Sequence, residues 1–373
     1  VTLDILLDDF QEEPGYLDFA SVGPIGAAVA AEGAALVELL SRVRFGTVPS
    51  LLEQDERVRN AISRATGFEA GSIVFQPNTS TGLMHVMFGL TGAVALSPAE
   101  YPSLTFAASR ASEALGVVTP VWLETDHGRV TPGNLRDQLT DETVAVAVSL
   151  VDFRTGYLAD LDGIRQVIGD RLLIVDAIQG FGVVDAPYSA ADVVVSGGQK
   201  WVRAGWGTGF LALSDRALEH LTPVWSGYPG TDAGGLPVDE VLPATRGARA
   251  FSVTYPDPVA EARLATALDL MTDAGVGAIS ARIAESVTRI IDLADEYAVP
   301  VVSPRDERER AGIVVLEPAP ENLTVLTASL HNHGVSSTTR EGRVRLSPHV
   351  STNEETFEML RASLLSYGTA TNI

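Results

Sequence analysis

The chain has 373 residues, enough for a large domain and a smaller one with a sizeable core. Its 26 basic and 48 acidic side chains give a formal charge of −22, which argues against nucleic acid or an anionic membrane as the main partner. It contains no cysteine, so disulfides, thiolate metal sites and a cysteine nucleophile are excluded, and no metal site is expected. No apolar run is long enough to span a bilayer uninterrupted, and Val1-Thr2-Leu3-Asp4 lacks a basic segment ahead of an apolar one; a cytoplasmic protein is expected.

In chain order, Gly15 to Pro24 reads as a short strand and a Gly-Pro break, followed by an alanine-rich helix from about Ile25 to Leu40. The apolar spacing from Ser50 to Thr66 predicts one helix ended by Gly67. Ser72 to Phe75 is a strand, Gln76 to Gly82 a polar turn, and Leu83 to Leu90 an apolar helix. Strand, small polar turn and helix start present free N–H groups and hydroxyls to an anion; four cap-type residues, Asn78-Thr79-Ser80-Thr81, make a plain N-cap an even alternative. The strand Ala93 to Leu96 leads through Glu100 and Tyr101 into another helix start. Val117 to Leu123 is a strand, Thr131-Pro132 opens a helix to Leu139, and Val144 to Val151 is a buried strand ending at Asp152-Phe153-Arg154. Arg154 has two readings, a carboxylate ligand or a solvent-facing arginine.

Leu172 to Val175 is a continuous apolar run that ends in Asp176, as in a strand buried on both faces of a parallel sheet, whose carboxyl end is where open α/β sheets bind ligands. One strand later, Lys200 stands in a glycine-rich loop with Trp201 and Trp206, between the apolar runs near Val193 and Phe210. An enclosed ammonium must find a counter-charge or lose its proton, and a neutral lysine is a nucleophile toward carbonyl groups; the competing reading is a surface lysine lying along an aromatic ring. Tyr228 to Pro237 is a Gly/Pro-rich loop, Val259 to Ala274 and Gly277 to Tyr297 are helices, and the remainder alternates strands, among them Val299 to Val302, Gly312 to Leu316 and Arg343 to Ser347, with helices.

Val175-Asp176-Ala177-Ile178-Gln179 and Gly198-Gln199-Lys200-Trp201, followed by Gly205-Trp206-Gly207-Thr208-Gly209, resemble the class V aminotransferase family of pyridoxal-phosphate (PLP) enzymes, fold type I. The resemblance covers nearly the whole chain and its motifs occur in family order. It implies an α/β fold: a large, doubly wound, mainly parallel sheet domain over residues 46–245, a smaller C-terminal α+β domain over 246–373, and an N-terminal segment, 1–45, that packs with the small domain. It implies PLP as cofactor, with Lys200 and Asp176 catalytic: Lys200 forms the Schiff base with the cofactor aldehyde and Asp176 pairs with the pyridine nitrogen. Thr79 and Ser80 fall on the phosphate loop, Tyr101 on the ring-stacking aromatic, Gln179 on the ligand of the ring hydroxyl and Gln199 beside the lysine. Thr254 matches the residue that reaches the neighbouring subunit's phosphate in a homodimer. Arg345 matches the residue that grips the α-carboxylate of an amino-acid substrate, and Ser21 the segment crossing the pocket mouth. Where many members carry serine three residues before the lysine, this chain has Gly197, with Ser196 before it. The expected reaction is a β-lyase (C–S lyase) reaction, with an aminotransferase or epimerase as the alternative and a non-catalytic PLP or amino-acid binding module as the reading from another class. A desulfurase that carries sulfur on its own thiol is excluded by the absence of cysteine.

Overall fold

A computed structural model describes residues 2–232 and 236–371; of the expected loop 228–237, residues 233–235 lie outside the described residues. The strands of the larger sheet are β1 (Ile73–Phe75), β2 (Gly92–Leu96), β3 (Val118–Trp122), β4 (Thr143–Ser149), β5 (Leu172–Asp176), β6 (Val193–Gly197) and β7 (Gly209–Leu213), arranged β1-β7-β6-β5-β4-β2-β3. β7 pairs antiparallel with both its neighbours and the other pairings are parallel, so six strands share one direction. The apolar runs follow from burial on both faces. Along β5, Leu173 and Val175 join one core and Leu172 and Ile174 the other, and β4 divides the same way into Val146 and Val148 against Ala145 and Ala147.

The helices that cover this sheet are α1 (Leu3–Asp8), α2 (Ala27–Ser41), α3 (Thr47–Leu52), α4 (Gln54–Thr66), α5 (Thr79–Gly89), α6 (Pro102–Leu115), α7 (Pro132–Gln138), α8 (Leu161–Ile168), α9 (Asp215–His220) and α10 (Pro258–Ala274). Leu83 of α5, Leu104 of α6 and Ala217 of α9 enter one core, whereas Ile62 of α4, Ile164 of α8 and Leu264 of α10 enter the other. A second sheet of β8 (Val314–Leu316), β9 (Thr338–Arg340) and β10 (Arg343–Leu346), in the order β8-β10-β9, is antiparallel. It packs with α11 (Val276–Glu296), α12 (Leu323–Asn332) and α13 (Glu354–Thr371). The N-terminal strand-like stretch bridges to this small sheet at Tyr16–Ser336 and Asp18–Ser347, while α2 packs on α10.

Three local expectations change. α5 starts at Thr79 rather than Leu83, because the Asn78 side chain caps it by accepting from the Thr81 N–H at 2.9 Å, so the polar residues form its first turn. The helix expected over Ser50–Thr66 is two, α3 and α4, joined through Glu53. The stretch Val299 to Val302 makes only one bridge, Val301 to Leu316; Pro300 has no N–H with which to extend a ladder.

Candidate active site

The carboxyl ends of β1, β2, β4, β5 and β6 meet at one edge of the large sheet, and the strand order reverses between β2 and β4, the place where open α/β sheets form a crevice. A cavity of ≈ 240 Å³ opens there. Ser21, Thr79, Ser80, Tyr101, Asp176, Gln179, Gln199, Lys200 and Arg345 all line it, together with Trp206 and Arg340. Nine of the ten site positions read from the sequence are thus brought together; Thr254 is not, and sits exposed in another hollow with Tyr228, Tyr255 and Glu261.

Asp176 is buried at the end of β5, directly beside Ser149 of β4. Its Oδ1 accepts from the Ile178 N–H at 3.1 Å, and burial raises its pKa to about 6. Lys200, half-buried in the loop between β6 and β7, is the only lysine of the 373 residues. Desolvation lowers its pKa to about 8, against the opposing pull of Asp176 and with a push from Arg345 and Arg340. Near neutral pH the site therefore holds a carboxylate facing an ammonium that is close to releasing its proton. The Nζ lies 5.5 Å from the centre of the Tyr101 ring, which meets Phe153 edge-on at 5.1 Å.

Gln179 is fixed at both ends of its amide: Nε2 donates to the Ala20 carbonyl at 3.0 Å, and Oε1 accepts from the Trp201 indole at 2.9 Å. An indole N–H only donates, which settles the amide's orientation. Of the two tryptophans near Lys200 only Trp201 is walled in, at 1% exposure; Trp206, expected to be enclosed as well, is 69% exposed on the rim of the cavity.

At the far end, α5 presents its N-terminus. The N–H groups of Thr79 and Ser80 have no partner within the described residues, as a first helical turn requires, and the Ser80 hydroxyl touches that of Ser103 at 2.7 Å. The Thr79 hydroxyl oxygen is buried without a partner among the described residues. Opposite it stands Gly197, where a Cβ would lie 3.1 Å from Thr79 Oγ1 and 2.3 Å from Gln199 Oε1. A side chain there would fill this cradle. Ser196 stays inside the sheet, its hydroxyl donating to the Gly197 carbonyl at 3.2 Å, and does not line the cavity.

Arg345 projects from β10 against the N-terminal segment. Its Nη2 donates to Ser21 Oγ at 2.7 Å and lies 3.4 Å from Asp18 Oδ1, while Nη1 reaches the Phe153 carbonyl at 3.5 Å. Its Nε has no partner among the described residues. Arg343 is held instead by Glu317 at 2.7 Å, and Arg154 lies 3.5 Å from Asp152, whose carboxylate also knits its own loop by accepting from the Arg154 N–H and the Thr155 hydroxyl. The sequence reading passed over Arg340. Its signal was the Glu341-Gly342 turn, which sets Arg340 opposite Arg343.

An orphaned hydroxyl and free helix N–H groups at one end, a buried carboxylate at the back, an aromatic face and a lysine between them suit a flat, phosphorylated aldehyde on a protonatable ring. These features define a PLP site. A family model for Aminotransferase class-V matches residues 50–373, and the chain belongs to that family; it is a PLP-dependent enzyme. It is similar to an uncharacterized aminotransferase, YcbU, of Bacillus subtilis (strain 168), at 23% identity over 312 residues, 82% of this chain and 81% of that protein. Its fold matches that of a cysteine desulfurase from Thermococcus onnurineus NA1 in the apo state, with TM-score 0.85 and 20% identity over 96% of this chain and 95% of that one. It also matches the cystine C-S lyase C-DES in complex with its product cysteine persulfide, with TM-score 0.85 and 19% identity over 94% of this chain and 97% of that one. Among the described residues, no helix is long and apolar enough to cross a membrane.

Proposed function

We propose that the protein cleaves a carbon–sulfur bond at the β-carbon of an amino acid, with Lys200 as the covalent anchor of PLP and the acid–base group of the reaction. The observation that carries this reading is the single lysine, facing Asp176, Tyr101 and Arg345 in one cavity with its pKa drawn down to about 8. When bound, PLP draws electrons away from the substrate α-carbon into its ring. Asp176 supplies the anion that keeps the ring nitrogen protonated. Thr79 and Ser80 hold the phosphate through the start of α5, Tyr101 covers one ring face, and Gln179 offers its remaining N–H to the ring hydroxyl, with Gln199 beside it. Arg345, steadied by Ser21, takes the substrate carboxylate, a geometry that a planar guanidinium meets with two parallel bonds. Lys200 Nζ in its neutral form receives the α-proton. Loss of that proton lets the β-carbon release sulfur as a thiol, and one water completes the balance to pyruvate and ammonia with no redox change.

The family resemblance extends to the assembly. In this reading two copies pair so that Thr254 of each reaches the other's phosphate. The exposed apolar side chains Val37, Val43, Phe45, Val48 and Leu52, with Tyr228, Val253 and Tyr255 around the hollow that contains Thr254, supply a surface suited to such pairing. The division into 1–45, 46–245 and 246–373 and a cytoplasmic location belong to the same proposal.

The test exposes the purified enzyme to S-substituted cysteines and a panel of L-amino acids while pyruvate, ammonia, new amino acids and α-proton exchange are followed. A β-lyase gives pyruvate and ammonia; transamination without them, or racemisation alone, would replace this reading with the aminotransferase or epimerase. Borohydride reduction should fix the cofactor to Lys200, and Lys200→Ala should abolish that attachment.

A further inference from the structure

β9 and β10 are joined by Glu341 and Gly342, both with positive φ (49° and 79°), the two-residue turn that matches the twist of paired strands. This turn fixes the register: Arg340 stands directly opposite Arg343, and Thr338 opposite Arg345. Cross-strand partners and residues two apart share a face of a sheet, so three guanidiniums crowd one side of a short hairpin. Like charges directly opposed across two strands are destabilising. Two of the three are answered within the chain, Arg343 by Glu317 and Arg345 by Asp18. Arg340 has neither an ion pair nor a side-chain hydrogen bond among the described residues, although Glu341 is its neighbour in sequence.

Position makes this unanswered charge informative. Arg340 lines the same cavity as Lys200 and Arg345, and also a smaller hollow of ≈ 80 Å³, where Arg154, Arg343 and Arg345 join it and Glu341 is the single carboxylate among the lining residues. The charge is felt inside the site, since it disfavours protonation of both Lys200 and Arg345. An arginine kept for solubility would gain nothing from facing two other cations across a substrate cavity. A substrate with a second anion, set beyond its α-carboxylate, would relieve the repulsion and fill the hollow.

We propose that Arg340 is a second anion-binding residue of the active site, and that the substrate is an amino acid whose side chain carries a negative charge of its own. The inference rests on the reading of Lys200 and Arg345 as the cofactor anchor and α-carboxylate ligand. Arg340 is exposed, so its contribution is expected to be about tenfold in affinity, equivalent to about 1.4 kcal/mol, and to shrink as salt screens it.

The experiment titrates the holoenzyme with size-matched pairs, L-aspartate and L-asparagine, L-glutamate and L-glutamine, S-sulfocysteine and S-tert-butylcysteine, following the cofactor absorption band. In at least one pair the charged member should bind about tenfold tighter at low salt, and the preference should fall in high salt. Arg340→Gln should bring the ratio close to unity, whereas Arg340→Lys should keep part of it. Arg345→Gln should weaken both members of each pair. A ratio near one for every pair in the wild type, or an undiminished ratio in Arg340→Gln, overturns the inference while leaving the PLP reading intact. If no amino acid, charged or neutral, perturbs the band, the reading of the site fails and the inference with it.

Discussion

Asp176 and Lys200 carry opposite costs of the same burial. Desolvation pushes the carboxylate up to about 6 and the ammonium down to about 8, so both are charged only in the window between. Apoprotein should therefore take up PLP faster as pH rises through about 8, because only the neutral amine attacks an aldehyde; stopped-flow absorbance across pH 6 to 10 would show it. Asp176→Asn removes the anion but little volume. It should still bind PLP yet lose α-proton exchange by more than about tenfold, measured by deuterium incorporation, and near-normal exchange would make Asp176 structural. Both residues were legible in the sequence, because an aspartate that ends an apolar run and a lysine between two such runs have few places to go in a parallel sheet. Arg340 was not, since its meaning depends on a cross-strand partner and on an ion pair it lacks among the described residues.

In the proposed site, α5 joins two requirements, a stable helix start and a place for the phosphate. Asn78 serves the first by satisfying the Thr81 N–H, whereas the buried Thr79 hydroxyl has no partner among the described residues and is a liability without ligand. Thr79→Val should thus leave the apoprotein as stable or more stable, since it removes an unsatisfied polar group at nearly constant volume, while PLP affinity falls about tenfold. Thermal unfolding of apoprotein and equilibrium dialysis of cofactor check the two halves. A fall in apoprotein stability with unchanged affinity would show that the hydroxyl supports the helix. The sequence signalled this helix start but left its function open and its first turn out, because four consecutive cap-type residues do not reveal which one caps. The capping bond at Asn78 decides that point and turns Thr79 toward the cavity.

Across the whole molecule, burial has raised several carboxyls well beyond Asp176. Glu100 is bonded to Ser149, with burial raising its pKa to about 8, and Glu261 on α10 is raised to about 8 as well. A carboxyl whose pKa is higher folded than unfolded stabilises the fold fully below its unfolded value and loses that contribution as pH rises through the folded one. Apoprotein stability should accordingly fall between about pH 4.5 and 8. Glu100→Gln, which cannot ionise, should flatten part of that slope in urea melts at several pH values; an unchanged slope would mean that Glu100 titrates normally. A sheet covered by helices on both faces was readable from apolar runs and their spacing. The packing of the N-terminal segment with the small domain came only from the family resemblance and not from local pattern, because the bridges Tyr16–Ser336 and Asp18–Ser347 join residues more than 300 positions apart.

A chain with one lysine among 373 residues has, apart from its α-amine, a single primary amine to lose. Acylating agents and reducing sugars, which elsewhere spread their damage over many expendable lysines, find here a single lysine side chain, the one on which the proposed reaction depends. Under the proposal, cofactor attached at Lys200 is then also its protecting group, and the empty enzyme is chemically the more fragile form.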